Sequence, residues 1–257
     1  NSLKFNMPNE DSVLTINASA FDGCTNVTKL IIGEGLKTIG DSAFSGMTKV
    51  NTFGYYAVAA DNLLANNNVF KNLGRGTSSN EITLTINSSV QSIPNYLFNP
   101  NSNVANSPKF VKLNIVNGVK SIGDYAFAYC QDIKAKTSGE IAIELPISLE
   151  TIGEFAFSGC SSLEEINIPD GVTYIGDSAF CGCNNLTSIV VNADNPIYDS
   201  SSNCNAIIEI VTQTLLLGCP NTRIPNVMIP KPNRIMLRSF NFMVRNPLKK
   251  RPIVIPI

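Results

Sequence analysis

Residues 149–171, LETIGEFAFSGCSSLEEINIPDG, run directly into residues 172–191, VTYIGDSAFCGCNNLTSIVV. The first string has landmarks at Leu149, Ile152, Gly153, Ala156, Phe157, Gly159, Cys160, Leu163, Ile166 and Ile168. The second repeats them, each 23 residues on, at Val172, Ile175, Gly176, Ala179, Phe180, Gly182, Cys183, Leu186, Ile189 and Val191. A fixed period of this size marks a solenoid, whose units bury their apolar faces only by stacking on one another. The second half of the unit alternates, so Ile166 and Ile168 are expected to point inward from a strand while Glu165 and Asn167 point out. Pro169 ends that strand. In the first half, Gly153 and Gly176 suit a tight bend, and the Ala-Phe pair suits a short helical or 3-10 turn that sends its Phe inward.

Moving from this pair toward the N-terminus, weaker copies follow. Strand and bend positions recur at Leu113, Ile115, Val119, Ile122, Gly123, Ala126 and Phe127, and again at Leu84, Ile86, Val90, Ile93 and Phe98. Residues 54–80 are rich in Asn and Gly and hold only a faint copy at Leu64 and Phe70, a degenerate repeat with a loop. The pattern is clear once more at Leu30, Ile32, Leu36, Ile39, Gly40, Ala43 and Phe44, and the first copy takes in Phe5, Met7, Val13, Ile16, Ala20 and Phe21. Insertions at 99–107 and 131–139 both fall between Phe and strand, so one side of the solenoid accepts extra loops.

Beyond Val191 a polar stretch precedes Ala206 to Glu209 and Leu215 to Cys219, which read as a β-hairpin over 206–219 turning near Thr212 and Gln213. Ile224 and Pro225 resume the strand pattern. The expected organisation is a solenoid over 1–225 followed by an eroded, basic terminal repeat over 226–257 that includes Ile235, Phe240, Ile253 and Ile255. Roughly ten turns are expected, with strands about 4.8 Å apart in a parallel sheet.

Composition narrows the chemistry. The chain is 44% apolar without a run of about 18 apolar residues, so a large core and no transmembrane segment are expected, as for a soluble mature segment. It has no His, which removes His-based acid–base and nucleophile systems and the usual transition-metal ligand. The net charge of −1 conceals an asymmetry: residues 1–220 hold 11 basic and 20 acidic side chains, residues 221–257 hold 8 basic and none acidic. Residues 137–222 carry 11 acids and no Lys or Arg, a surface that repels phosphate backbones, so nucleic acid is not expected as a partner. The basic end reads as a solvated face.

Of the seven cysteines, Cys24, Cys130, Cys160 and Cys183 lie three residues after a repeat Phe, the slot Met47 fills in another copy, which makes it an apolar core slot. Cys204 and Cys219 flank the hairpin as a candidate disulfide. Cys181 is left over, and no zinc-type cluster accompanies it.

Ile152-Gly153, Ala156-Phe157, Gly159-Cys160 and Ile166 to Pro169, with their equivalents, resemble the leucine-rich repeats of the BspA type, found in bacterial surface proteins and some protists. Tyr198 to Pro225, with Cys204-Asn205-Ala206-Ile207-Ile208 and Leu217-Gly218-Cys219, also looks like an element of that family. The resemblance implies a horseshoe-like leucine-rich repeat solenoid, with its parallel β-sheet on the concave side and turns and loops on the convex side. It further implies a secreted or cell-surface location and a role in adhesion or protein binding, with a host extracellular-matrix or serum protein as the expected partner.

The candidate binding surface is the outward row of the sheet: Lys29, Ile31, Thr52, Thr83, Thr85, Lys112, Asn114, Ala142, Glu144, Glu165, Asn167, Ser188 and Val190. Strand geometry sets these side chains and the core makes no claim on them. Two alternatives stand beside it, a structural spacer within a larger envelope protein and a carbohydrate-active enzyme using paired carboxylates. For the latter, Glu164 and Glu165 face opposite ways on one strand, which leaves Glu144 with Glu165. Gly40-Asp41-Ser42 and Gly176-Asp177-Ser178 lack a His to activate the Ser, and the other copies read Gly123-Asp124-Tyr125 and Gly153-Glu154-Phe155, so the motif is structural. Its acidic residue is expected to accept backbone N–H bonds. Asp194, Asn195 and Asp199 offer oxygen ligands, but at no calcium-loop spacing, so no metal and no cofactor are expected. Asn17, Asn26, Asn87 and Asn185 stand in glycosylation sequons.

Overall fold

The structure is a computed structural model that describes residues 1–5, 14–76, 81–99, 104–134, 140–201 and 204–223. The readings at Met7, Val13, Ile224, Pro225, Phe240 and the whole of 226–257 lie outside the described residues.

Alternating apolar residues become the rungs of a parallel ladder. Strands Ser2–Phe5, Lys29–Ile32, Thr52–Tyr55, Ile82–Ile86, Phe110–Ile115 and Ile143–Glu144 form one six-stranded sheet, and Glu165–Ile168 pairs with Ser188–Val191 as its continuation. The register repeats the alignment read from sequence: Leu3, Leu30, Phe53, Leu84, Leu113 and Ile143 stand in line, as do Ile166 and Ile189. Of these, the residues from Leu30 onward are buried to 2% exposure or less. Among the described residues the main ladder has eight rungs, fewer than the expected ten turns: the turns read at Ile224 and at Ile253 to Ile255 lie outside the described residues, and the hairpin segment departs from the ladder instead of continuing it.

A second parallel ladder lies across the core, where sequence suggested only a bend. Its strands Ser92–Ile93, Ser121–Ile122, Thr151–Ile152 and Tyr174–Ile175 are two residues each, and Leu14–Ile16 pairs with Leu36–Ile39 in the same manner. Between the ladders the Phe column closes the core. Phe21, Phe44, Phe70, Phe98, Phe127, Phe157 and Phe180 form one continuous column with ring centroids 5.3–5.7 Å apart, stacked throughout except between Phe70 and Phe98, whose planes are tilted by 41°. Offset stacks of this kind add to the area the rings bury.

The Ala-Phe segment is a turn, not a helix; among the described residues the one 3-10 element is Val104–Asn106, in the inserted loop. Alternate amides of the segment leave their own coil: Phe155, Phe157 and Gly159 donate N–H to the carbonyls of Asp177, Ala179 and Cys181 one coil on. This pattern needs left-handed backbone two residues before the Phe, at Ser42, Tyr96, Tyr125, Phe155 and Ser178, with φ between 53° and 58°. Such a φ costs a non-Gly residue on the order of 1 kcal/mol or more. Tyr96, Tyr125 and Phe155 offset it by stacking on one another at 4.9 and 4.8 Å.

Strands Ala206–Glu209 and Thr214–Gly218 form the expected antiparallel hairpin, turning through residues 210–213, and Tyr198–Asp199 adds a third strand.

Candidate functional site: the outward face of the ladder

Register places the outward side chains in two rows across the six-stranded sheet. One holds Ser2, Lys29, Thr52, Thr83 and Lys112, with Ala142 next in line; the other holds Lys4, Ile31, Gly54, Thr85, Asn114 and Glu144. Glu165 with Ser188 and Asn167 with Val190 extend the rows over the last two rungs. Lys4, Lys29, Thr52, Thr83, Asn114, Glu144 and Val190 are exposed; Thr85, Lys112, Glu165, Asn167 and Ser188 are half-buried.

Two expected members do not belong to the accessible row. Ile31 is 7% exposed and Ala142 is 6% exposed. Gly54, beside Ile31 on the next rung, explains the first. A Cβ on Gly54 would stand 2.9 Å from both Ile31 Cδ1 and Tyr56 Oη, so the Tyr56 ring occupies the space a larger residue would need and Ile31 is covered. Ala142 is a single methyl between Lys112 and the Glu165 rung, and the Lys112 ammonium turns toward Glu140, 3.0 Å away. Sequence reading also passed over Lys4, which extends the face at its first rung.

The two candidate carboxylates, Glu144 and Glu165, fall in different rows. Glu144 shares its row with Asn114, and Glu165 shares the other row with Ser188 while accepting a hydrogen bond from Asn167 Nδ2 at 3.1 Å. The two therefore stand diagonally on the outward face of the ladder.

The remaining candidates are spent on structure. Asn195 is fully buried; its amide donates to Pro169 O at 2.8 Å and Val172 O at 2.9 Å, and its Oδ1 accepts from the N–H of Ile197 and Tyr198. Asp199 accepts from Ser201 instead, so Asp194, Asn195 and Asp199 do not converge on a cation. Among the described residues no group of three His, Cys, Asp or Glu side chains is placed to hold a metal.

The polar column after the bend, Asn95 on one coil and Asp124 on the next, accepts backbone N–H bonds, although from the next coil rather than from its own turn. Asn95 Oδ1 accepts from Asp124 N at 2.9 Å, and Asp124 Oδ1 accepts from Glu154 N at 2.8 Å.

Cys204 and Cys219 are both free thiols, contrary to the expected candidate bridge. Cys204 packs with Ala206, Ile208 and Leu215 in a small separate cluster, whereas Cys219 packs on the main core and its Sγ accepts from Asn205 Nδ2 at 3.0 Å. Of the four cysteines read into the core slot, Cys130 and Cys160 fill it and Cys183 is half-buried, whereas Cys24, on the first of the stacked Phe coils, is exposed, contrary to the reading. Cys130 and Cys160 are buried, and burial pushes their thiols well above the usual range; Cys183 is pushed up to about 12, chiefly by the same loss of solvent.

Asn205 is a residue whose role sequence reading missed. Its side-chain Oδ1 accepts from Ile189 N–H and its Nδ2 donates to Thr187 O, both at 2.6 Å, which are the two bonds the backbone N–H and C=O of one residue on a following parallel rung would make. Ser200 Oγ accepts the next outward amide, Val191 N–H, at 2.7 Å. Side chains thus satisfy the edge where the chain leaves the ladder for the hairpin.

Comparison with known proteins places this geometry. The family model described as the BspA type leucine rich repeat region matches residues 2–134 and 100–213, in six copies. A leucine rich cell surface protein from Faecalibacterium prausnitzii is similar at 23% identity over 77% of this chain and 41% of its own, with a TM-score of 0.41. The pneumococcal vaccine antigen PcpA is similar at 21% identity over 69% of this chain and 48% of its own, with a TM-score of 0.41. A leucine-rich repeat protein from Eubacterium ventriosum is similar at 21% identity over 75% of this chain and 60% of its own, with a TM-score of 0.31. The chain thus spans less than two thirds of the length of each of these structures. No curated protein matches it. With the family model covering residues 2–134 and 100–213, and so most of the ladder, the chain belongs to the BspA-type leucine-rich repeat family.

Proposed function

We propose that the chain is a non-catalytic leucine-rich repeat module, displayed on a cell surface or secreted, that binds a partner protein through the outward face of its ladder. The observation that carries this reading is the division of labour within each rung. Leu84, Ile86, Leu113 and Ile115 are buried, while Thr83, Thr85, Lys112 and Asn114 between them are at least partly exposed. Side chains held in fixed register but excused from packing present an extended recognition surface at little ordering cost. No helix of the described residues is long and apolar enough to cross a membrane.

The test is capture of purified extracellular-matrix and serum proteins, with and without the triple change Lys112→Glu, Glu144→Lys and Glu165→Lys. Binding by the natural chain that is lost in the variant supports the face; capture that is unaffected moves the site elsewhere. A pure spacer captures nothing in either form.

A further inference from the structure

The outward face is not uniform along the solenoid axis. Lys4 and Lys29 stand exposed on the first two rungs, and register sets them diagonally on neighbouring strands, in adjacent rows. The next three rungs are neutral. Thr52, Thr83, Thr85 and Asn114 carry no charge, Ile31 is covered by Tyr56, and Lys112 is matched by Glu140 at 3.0 Å. Glu144 and Glu165 follow on the last part of the face, in the stretch 137–222 that has 11 acids and no Lys or Arg. At about 4.8 Å per rung, the Lys29 and Glu165 rungs lie about 24 Å apart.

We infer that this face takes an extended polypeptide segment laid along the solenoid axis, with an acidic cluster over Lys4 and Lys29 and a basic cluster, about 24 Å away, over Glu144 and Glu165. The inference rests on the sheet-face reading above and adds the chemistry and polarity of the partner. Three observations support that occupant. The face is a narrow double row, which suits a strand or an open loop. Its middle is hydroxyl- and amide-lined, so a neutral linker passes without burying a charge. Its two poles differ in sign, which penalises any partner of uniform charge at one end by like-charge contact. An extended chain advances about 3.3 Å per residue, so the two clusters are separated by roughly seven residues.

Two synthetic peptides of equal composition test this. EEEGSGSGKKK carries its charges in blocks about 26 Å apart when extended, and EKEGSGSGKEK carries the same charges mixed. At low ionic strength the block peptide is expected to bind at least tenfold more tightly than the mixed one, with the preference shrinking as salt screens exposed charges. Glu144→Gln with Glu165→Gln, or Lys4→Gln with Lys29→Gln, is expected to bring the two peptides within about twofold of each other. Exchanging the poles, with Lys at 144 and 165 and Glu at 4 and 29, is expected to restore the preference, because the peptide can lie the other way round. That result distinguishes polarity from loss of folding.

Equal affinities, a preference that survives neutralising a pole, or no binding of either peptide overturns the inference. Protein capture by the face that is sensitive to the triple change, together with such a peptide result, leaves the sheet-face reading intact and removes only the polarity. Self-association that is abolished by neutralising a pole would make a second copy the occupant and also overturn the peptide reading.

Discussion

At the scale of single residues, the bend glycines show why this repeat tolerates so little change at one column. A Cβ on Gly153 would lie 2.5 Å from Asp124 Oδ1, 2.6 Å from Asp124 N and 2.7 Å from Gly123 C. Two of those contacts are backbone, so the neighbouring coil has nowhere to go. Gly153→Ala is expected to lower stability by about 1–3 kcal/mol in urea unfolding. The double variant with Asp124→Ala is expected to be no more stable, since the backbone clash remains and the Glu154 N–H loses its acceptor. Recovery in the double variant would mean that the side chain alone sets the spacing. Tyr55 gives the opposite sign. It fills a slot taken by Ile32 and Ile86 on the flanking rungs, is fully buried, and its hydroxyl has no hydrogen-bond partner; loss of solvent also raises its pKa. Tyr55→Phe removes an unsatisfied buried group and is expected to stabilise the chain by about 1 kcal/mol, read as an upward shift in melting temperature. Sequence alone ranked Ile31 among the exposed residues because its place in the alternation is outward. Its burial follows from a neighbour 23 residues on being Gly and from Tyr56 filling the gap, a relation that alternation along one strand does not contain.

At the scale of elements, the two inner columns carry the fold. Phe157 has no exposed surface and stacks on Phe127 at 5.3 Å and Phe180 at 5.4 Å. Phe157→Ala is expected to cost about 3–5 kcal/mol, and a loss below about 1 kcal/mol would show that the column is not a packed core. The thiol column is testable by chemistry. Cys130 and Cys160 are expected to resist an aqueous thiol reagent in the native chain at pH 8 and to react on unfolding, while exposed Cys24 reacts at once. Their folded pKa values, and that of Cys183, lie above the ordinary value near 9, so the neutral form that folding favours is common to both states below pH 9. As pH rises from about 9 toward 12, the unfolded chain ionises first and stability falls, by up to about 1.4 kcal/mol per pH unit for each thiol. A flat alkaline stability curve under reducing conditions would contradict the burial. These columns were legible in sequence because each landmark meets its own equivalents on the coils before and after, so one slot selects one residue type. Phe70 was faint because 26 residues separate it from Phe44 and Asn fills many of the intervening positions, yet it completes the stack. The second ladder and the ring stack of Tyr96, Tyr125 and Phe155 were not legible. The former has only two residues per strand, and the latter depends on left-handed backbone at a slot that also accepts Ser.

At the scale of the whole molecule, core and surface obey different rules. Inward slots repeat; the outward rows do not, and they change from basic through neutral to acidic along the axis. The hairpin departs from the ladder at an edge already satisfied by Asn205 and Ser200, so the edge amides of Ile189 and Val191 are not left open to strand pairing. The most direct test of the account measures thermal stability and partner affinity side by side for the variant Lys112→Glu, Glu144→Lys, Glu165→Lys. The three positions lie outside the hydrophobic core and the one ion pair lost, Lys112 with Glu140, is part-exposed, so the melting temperature is expected to stay within about 4 °C of the natural chain. Affinity for a captured matrix or serum protein is expected to fall at least tenfold, as for reversal of charges that face a partner. Unchanged affinity, or a loss that only follows a matching fall in melting temperature, would contradict the claim that this face exists to bind.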